Sequence, residues 1–553
     1  MVKNLLKNGT SFLFKKQNEI LSAAIVLMIT YAASMVLGIL RERILVARYY
    51  FCCKELLDVY YAAFRLPDTI FQLVVIGALS ASFIPVFGEQ LVKDEKLAYR
   101  ISSSLINVLL VIFLVLTGIL FFFARSFSAL IAGGFSASQI DLMASITRAL
   151  FLAQGFFLVS NFLTAIIQSH QRFIVPAIAP LFYNLGIILT TVFLAPVLGI
   201  WAPVLGVIIG AFLHLAVQVP LAVKLGFSYQ FVFDFRLPQV KEIFRLMVPR
   251  TIGLAVYQIQ AIMAVFLATS LPSGSLTIFH LSQKLMDLPV RLFGTSIGQA
   301  ALPAISSQKA RGENELFKKT SRESLSQILY LAFPAMMMIL ILRIPVVRIA
   351  YGSRSFPWEA TLLTGKVVAL MSLAIFSQSA NEMLVRGFYA SHNTKTPLFI
   401  GFIGVFINVC LSVLLAFNLS LGIVGLAAAI TVSSFLEAVL LLFLLNREIG
   451  ALIDKKTAIS WMKIVLATLI AGVLSWGAMR LLDQFVLNTT RTIYLIILTL
   501  IAGLFGFTVY FFLTKIFGLE EAQKIQTVIW KFSRLSKSFI PPTEIIDSSS
   551  LSN

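Results

Sequence analysis

Cysteine is scarce in this chain: Cys52, Cys53 and Cys410 are all that 553 residues contain. Two of the three are adjacent, so a disulfide framework is excluded and free thiols are expected. Histidine is nearly as rare. His170, His214, His280 and His392 are scattered, which excludes metal-ligand spacing. Charge is also thin, at 12% of residues against about 25% in soluble domains. No polar stretch is long enough to fold alone, so soluble domains are excluded. No P-loop is present, which excludes nucleotide hydrolysis by that route. The opening MVKNLLKNGTSFLFKKQNE lacks a small-residue cleavage site and reads as a retained cytoplasmic tail rather than a signal peptide.

What is abundant is apolar sequence, 59% of the chain. Runs of about 20 residues recur from end to end, the length needed to cross a ~30 Å hydrocarbon core. The chain is therefore expected to be an all-α polytopic membrane protein of about fourteen transmembrane helices. The first spans are placed near 20–47 and 58–91, the seventh and eighth near 247–271 and 276–307, and the tenth near 359–391. The net charge of +19 would suggest nucleic acid in a soluble protein. Here basic residues such as Lys15, Lys16, Lys318, Lys319, Lys455 and Lys456 concentrate on the segments that an inside N-terminus makes cytoplasmic. The positive-inside rule accounts for that bias and puts both termini in the cytoplasm.

A weak internal repeat organises the spans. Arg65-Leu66-Pro67-Asp68, with Gly77 and Pro85, is echoed by Lys284-Leu285-Met286-Asp287, with Gly298 and Pro303. Ser169-His170-Gln171-Arg172 with Pro176 is echoed by Ser391-His392-Asn393 with Lys395 and Pro397. The copies sit six spans apart in the same orientation, which predicts two six-helix lobes with two further helices. The expected divisions are a tail at 1–19, an N-lobe at 20–225, a connection and C-lobe at 226–446, two added spans at 447–518 and a tail at 519–553. In that last tail Lys524–Phe539 reads as an amphipathic helix for an anionic inner leaflet.

Ionisable groups at membrane depth cost about 2.5–3.5 kcal/mol each on insertion scales and mark functional sites. Arg41, Glu42, Asp58, Arg65 and Asp68 lie in the first two spans, and His280, Lys284, Asp287 and Arg291 recur at helical spacing in the eighth. Arg41 reads either as a snorkelling span end or, preferred because apolar sequence continues through Ala47, as a cavity residue on a first span bent at Gly38. Arg65 and Asp68 read equally as an internal pair at the Pro67 kink or as ligand contacts. Basic groups converging on a cavity suit a phosphate-bearing head group and disfavour a purely cationic substrate. Gly294-Thr295-Ser296-Ile297-Gly298 matches a hydrolase elbow but lies in a predicted membrane helix, where small residues serve packing.

The pattern resembles the MurJ (MviN) lipid II flippases. The resemblance rests on Val36-Leu37-Gly38 with Arg41, Val46-Ala47-Arg48, Asp58, Ala63-Phe64-Arg65-Leu66-Pro67, Gly77-Ala78 and Ser82-Phe83-Ile84-Pro85. It continues through Gln171-Arg172-Phe173, Pro249-Arg250-Thr251, Lys284-Leu285-Met286, Gly387-Phe388-Tyr389 and Lys395-Thr396-Pro397. It covers about the whole chain. It implies the MOP exporter fold, with spans thirteen and fourteen forming a lipid-tail groove. It also implies lipid II, an undecaprenyl diphosphate carrying the peptidoglycan disaccharide-pentapeptide, moved from inner to outer leaflet by alternating access. Arg41 matches a diphosphate-binding arginine, Glu42 an acidic neighbour and Asp58 a family aspartate, while Lys284 stands at a cavity-arginine position. Three positions depart: Met35 and Phe71 replace arginines and Ile76 an acidic residue. Some members carry a sodium site. Here its aspartate reads Ala264, while Asn408, Ser412 and Thr431 keep side-chain oxygens.

The expectation is a transporter and not an enzyme, without cofactor, sodium being doubtful. Its partners are lipid II and membrane lipid, with no nucleic acid. A monomer in the bacterial cytoplasmic membrane is expected. The substrate site is placed at Arg41, Glu42, Asp58, Arg65, Lys284, Asp287 and Arg291. The rivals are an exporter of another polyprenyl-linked glycan or of a drug, a membrane glycosyltransferase or polymerase, and a scaffold that has lost transport.

Overall fold

Helices account for the regular structure, and no strand occurs among the described residues. Lipid demands this, because only helices and closed barrels satisfy every backbone group inside a bilayer. The computed structural model describes residues 20–526 apart from 78, 80–82, 451, 488, 490 and 525. The expected N-terminal tail and all of the predicted amphipathic helix but Lys524 and residue 526 lie outside them.

Among the described residues twenty α-helices follow in order: α1 Ile20–Ala63, α2 Arg65–Phe71, α3 Ile84–Lys93, α4 Glu95–Phe122, α5 Ala124–Ile131, α6 Ala137–Ser169, α7 Ile174–Leu198, α8 Trp201–Ala216, α9 Val219–Lys224 and α10 Pro238–Thr269. After these come α11 Ser275–Pro289, α12 Ser296–Ala310, α13 Asn314–Ile341, α14 Arg343–Tyr351, α15 Trp358–Ser372, α16 Ile375–Ala390, α17 Lys395–Ser412, α18 Gly422–Ile449, α19 Lys455–Leu481 and α20 Thr492–Ile516. Eleven helical stretches among the described residues are long and apolar enough to cross a membrane, or twelve if α15 and α16 form one broken span.

The breaks in these helices differ from the expected ones, for local reasons. Helical dihedrals run unbroken through Gly38. The first break falls instead at Cys53 (φ −154°, ψ 49°). The expected outer loop between spans one and two is thus a one-residue turn, since residues on both sides of Cys53 stay helical. The second break comes at Phe64, just before Arg65 rather than just beyond it. Proline has no N–H and its ring crowds the carbonyl four residues back, which is that of Ala63. The freed carbonyl accepts from the Thr147 hydroxyl at 3.1 Å. The third break follows Pro289, where a π-helical turn, Val290–Thr295, joins α11 to α12. A π-turn inserts a residue into the helical register. His280, Lys284, Asp287 and Arg291 therefore do not form the single uninterrupted stripe that their spacing suggests.

Local geometry also carries the internal repeat. A π-turn follows Arg65–Phe71 at Gln72–Ile76, as one follows α11. Gln171 (φ 58°) and His392 (φ 57°) both adopt left-handed backbone in the matched turns before α7 and α17. Gly199 (φ 53°) and Ser420 (φ 54°) do so in the next pair of turns.

The chain divides into two compact units. The first holds the described residues up to Leu288, with Arg343–Ala374 and His392–Leu441; the second holds Pro289–Leu342, Ile375–Ser391 and the described residues from Leu442 on. In the first, helices approach closely through glycine. A Cβ on Gly77 would lie 2.4 Å from Thr251 Oγ1, and that hydroxyl donates to the Leu73 carbonyl inside the π-turn at 3.2 Å. The connection before α10 is also held here: Asn107 donates to the Gln230 and Val232 carbonyls at 3.0 and 2.9 Å. In the second unit Tyr330, Ile464, Ala467, Ala471 and Tyr510 form a buried core. Tyr510 donates to the Tyr330 carbonyl at 2.8 Å. Gly294 and Gly298 press against Ser379 and Arg386, so the hydrolase-like motif serves packing.

Candidate functional site

Arg41 lies midway along α1, and its side chain is only 16% exposed. One terminal nitrogen donates to Glu42 Oε1 at 2.5 Å and the other to Asn184 Oδ1 at 3.1 Å. The Asn184 amide nitrogen is turned to the Pro180 carbonyl at 3.2 Å, which leaves its oxygen for Arg41. The guanidinium carbon stands 5.9 Å from the centre of the Tyr183 ring. Its Nε is buried and makes no hydrogen bond among the described residues.

Glu42 is buried and doubly engaged. Tyr61 donates to its Oε2 at 2.7 Å. His280 Nε2 approaches Oε1, the oxygen bonded to Arg41, to 3.9 Å. The His280 ring stacks on Tyr61, with centroids 4.1 Å apart and an interplanar angle of 20°. Lys284, one turn further along α11 and exposed, acts electrostatically on both Glu42 and Asp68. Tyr351 anchors α14 here by donating to the Leu281 carbonyl at 3.0 Å. The result is one buried acid flanked by an arginine, a histidine and a lysine from two helices.

Asp58 does a different job. Its Oδ2 accepts from the Gly274 N–H at 2.6 Å, and its Oδ1 from the Thr277 N–H and hydroxyl at 2.7 and 2.6 Å. These donors belong to the N-terminus of α11, where exposed amides and the helix dipole favour a carboxylate. Gly274 takes φ 91°, a left-handed conformation suited to glycine. A distant aspartate therefore caps the helix that carries His280 and Lys284 and fixes its position against α1.

The remaining expected residues are more dispersed. Asp68 accepts from Gln154 at 2.8 Å and interacts with Arg65 electrostatically without an ion-pair contact among the described residues. The Arg65 Nε is buried without a hydrogen-bond partner there. Asp287 is half-buried on α11. Arg291 lies in the π-turn beyond Pro289 and belongs to the second unit. The structure thus brings Arg41, Glu42 and Lys284 together. It adds Tyr61, Asn184 and His280 as direct neighbours, and of these only His280 was singled out in the sequence. A tyrosine pair inside an apolar run and an asparagine between Pro180 and Pro196 were the available signals for the others.

A sequence profile described as "Lipid II flippase MurJ" matches residues 47–496. The chain belongs to the MurJ family. It is 27% identical over 533 residues to a protein of Bdellovibrio bacteriovorus called "Probable lipid II flippase MurJ", covering 94% of this chain and 99% of that one. A Burkholderia cenocepacia protein called "Lipid II flippase MurJ" is 26% identical over 461 residues, covering 81% and 88%. Among solved structures, "Lipid II flippase MurJ, inward closed conformation" superposes with a TM-score of 0.73 at 24% identity, over 89% of this chain and 98% of that one. An inward-facing multidrug resistance MATE family transporter of the MOP superfamily gives 0.61 at 13%, over 78% and 98%. At these identities the two structures establish the fold, that of the MOP exporters.

Phe71 is half-buried, its ring 6.2 Å from that of Phe157 in an edge contact. Of the oxygens named for sodium, Asn408 donates its amide to Ser433 at 3.2 Å and Thr431 its hydroxyl to the Leu370 carbonyl at 2.8 Å, while Ala264 supplies no side-chain oxygen. Among the described residues no group of three His, Cys, Asp or Glu side chains is placed to hold a metal.

Proposed function

We propose that this chain moves lipid II from the inner to the outer leaflet by alternating access, as a transporter without catalytic chemistry. The observation that carries this reading is Arg41: a nearly buried guanidinium at membrane depth, in a MurJ-family chain, held by Glu42 and Asn184 with its Nε unused. Planar guanidinium suits bidentate binding of a diphosphate. Glu42 holds Arg41 in a fixed rotamer and offsets its charge while the site is empty. Lys284 adds a second cation on the exposed side. Asp58 serves the site indirectly, by capping the helix that bears Lys284. Asp287 and Arg65 complete the set of groups of the first unit assigned to the head group.

Fourteen spans follow from the eleven if the stretch from α1 to α2 counts as two spans turning at Cys53, and if α11 with α12 and α15 with α16 each count as one bent span. The matched π-turns and left-handed residues support two lobes, 20–225 and 226–446, with 447–518 as helices for the lipid tail. The bias of basic residues supports cytoplasmic termini in the bacterial cytoplasmic membrane, and a monomer suffices for this cycle. Complementation of cells depleted of their lipid II flippase tests the reading. Rescue by the native chain is expected. Failure to rescue, with the protein present in the membrane at normal level, would overturn it.

A further inference from the structure

The interface between α17 and α18 carries a carboxyl that the head-group site does not use. Glu437 lies near the middle of α18, in a stretch that is otherwise apolar and small-polar. It lies against the backbone of Gly404: a Cβ there would meet Oε2 at 3.3 Å and Cδ at 3.5 Å. Glycine thus makes the notch that receives the side chain. No hydrogen bond or ion pair reaches Glu437 among the described residues, and no charged or titratable group on α17, α18 or any other described element acts on it.

The surroundings continue as a polar seam. Gly404, Asn408 and Ser412 recur every fourth residue on α17, and Ser433 precedes Glu437 by one turn on α18. Asn408 and Ser433 are hydrogen-bonded and buried, as is Ser412. Polar side chains stacked at helical spacing along a packed interface give a proton a route that hydrocarbon does not. A carboxylate without a counter-ion at this depth costs several kcal/mol, so Glu437 needs a cation with it whenever water is excluded. A proton needs only the carboxyl itself.

We propose that Glu437 is a proton-binding site. It carries its proton as a neutral acid while the α17–α18 interface is closed and releases it when water enters along the Asn408–Ser433 seam. Proton occupancy then sets which way the transporter can open. The balance is simple: one proton is bound from one side and released to the other, and no covalent bond of the protein changes. The coupling step rests on the transport reading above, whereas the protonation itself does not.

Dicyclohexylcarbodiimide tests the site without substrate. It reacts with neutral carboxyls in apolar surroundings: the carboxyl oxygen bonds to the carbodiimide carbon and the carboxyl proton passes to nitrogen. The full-length protein is placed in phosphatidylethanolamine–phosphatidylglycerol vesicles and labelled at acidic, neutral and alkaline pH, and adducts are mapped by peptide mass spectrometry. An adduct at Glu437 that declines toward alkaline pH and vanishes in E437Q is expected. No adduct at any pH overturns the proposal. In the same vesicles, with the membrane potential clamped, lipid II translocation by the native protein should respond to an imposed pH gradient, and translocation by E437Q should not. An equal response in both, or a response to a sodium gradient in place of the pH gradient, also overturns it. Labelling at Glu437 in vesicles that move no lipid II under any gradient would count against the transport reading and against coupling, while the carboxyl itself stands as assigned.

Discussion

Asp58 and Thr277 are joined by two hydrogen bonds, from the threonine N–H at 2.7 Å and from its hydroxyl at 2.6 Å. They stand 219 residues apart, so this contact ties the first helix of the chain to the start of α11. With the Gly274 N–H, three donors converge on one buried carboxylate. Asp58→Ala should lower stability by about 2 kcal/mol, the scale of a lost helix cap with charged hydrogen bonds. Asp58→Asn should fall between. Thermal unfolding of purified protein reads both. Folded Asp58→Asn protein should keep close to native lipid II affinity, because the carboxylate is engaged by the Gly274 and Thr277 donors at the start of α11.

Arg41 is expected to act on affinity instead. Arg41→Ala should weaken lipid II binding roughly 10–100-fold, the worth of charge-assisted hydrogen bonds at about 1.5–3 kcal/mol. Arg41→Lys should recover only part, since ammonium cannot pair with phosphate bidentately. Binding isotherms on detergent-solubilised protein check this. Native affinity in Arg41→Ala would remove the residue from the head-group site while leaving the family assignment in place.

Gly77→Ala should destabilise the protein by about 1–3 kcal/mol through overpacking, because the new methyl falls 2.4 Å from Thr251 Oγ1. Adding Thr251→Ala removes that atom. The double variant should therefore be more stable than the sum of the singles predicts, a coupling that a thermal double-mutant cycle measures.

Asp454 caps α19 through the Thr457 N–H and hydroxyl, both at 2.7 Å, and also pairs with Arg322. The Thr457 hydrogen bonds, with a smaller contribution from Arg322, hold its carboxyl below the usual carboxylate range. A depressed carboxyl stabilises fully above its unfolded value, and that contribution is lost as pH falls through the folded one. Hydrogen exchange in the first turn of α19 should therefore quicken on acidification relative to the intrinsic rate. In Asp454→Asn this acid-dependent acceleration should be absent.

The helical membrane fold was legible because long apolar runs have one solution in lipid. The helix breaks were less so. Pro67 announced one, but its place at Phe64 depends on Thr147, whose sequence position says nothing of Ala63. Arg41 and Glu42 stood out as charges in an apolar run, yet Asn184 and Tyr61 became visible only once the helices were packed. Asp58 looked like a ligand because its true partners are largely backbone amides, which every residue possesses and no motif records. Glu437 was legible in principle as a lone acid in the apolar stretch that forms α18, but its isolation is a fact about neighbours rather than about sequence.

The turn at Cys53 has a mechanical consequence. One non-helical residue spans at most about 3.5 Å, so the connection has no slack. The two helical arms on either side can tilt as a pair but cannot slide past each other. Arg41 on one arm and Tyr61 on the other therefore stay in fixed register on either side of Glu42, as points on a folded lever whose arms keep their length while the whole rotates.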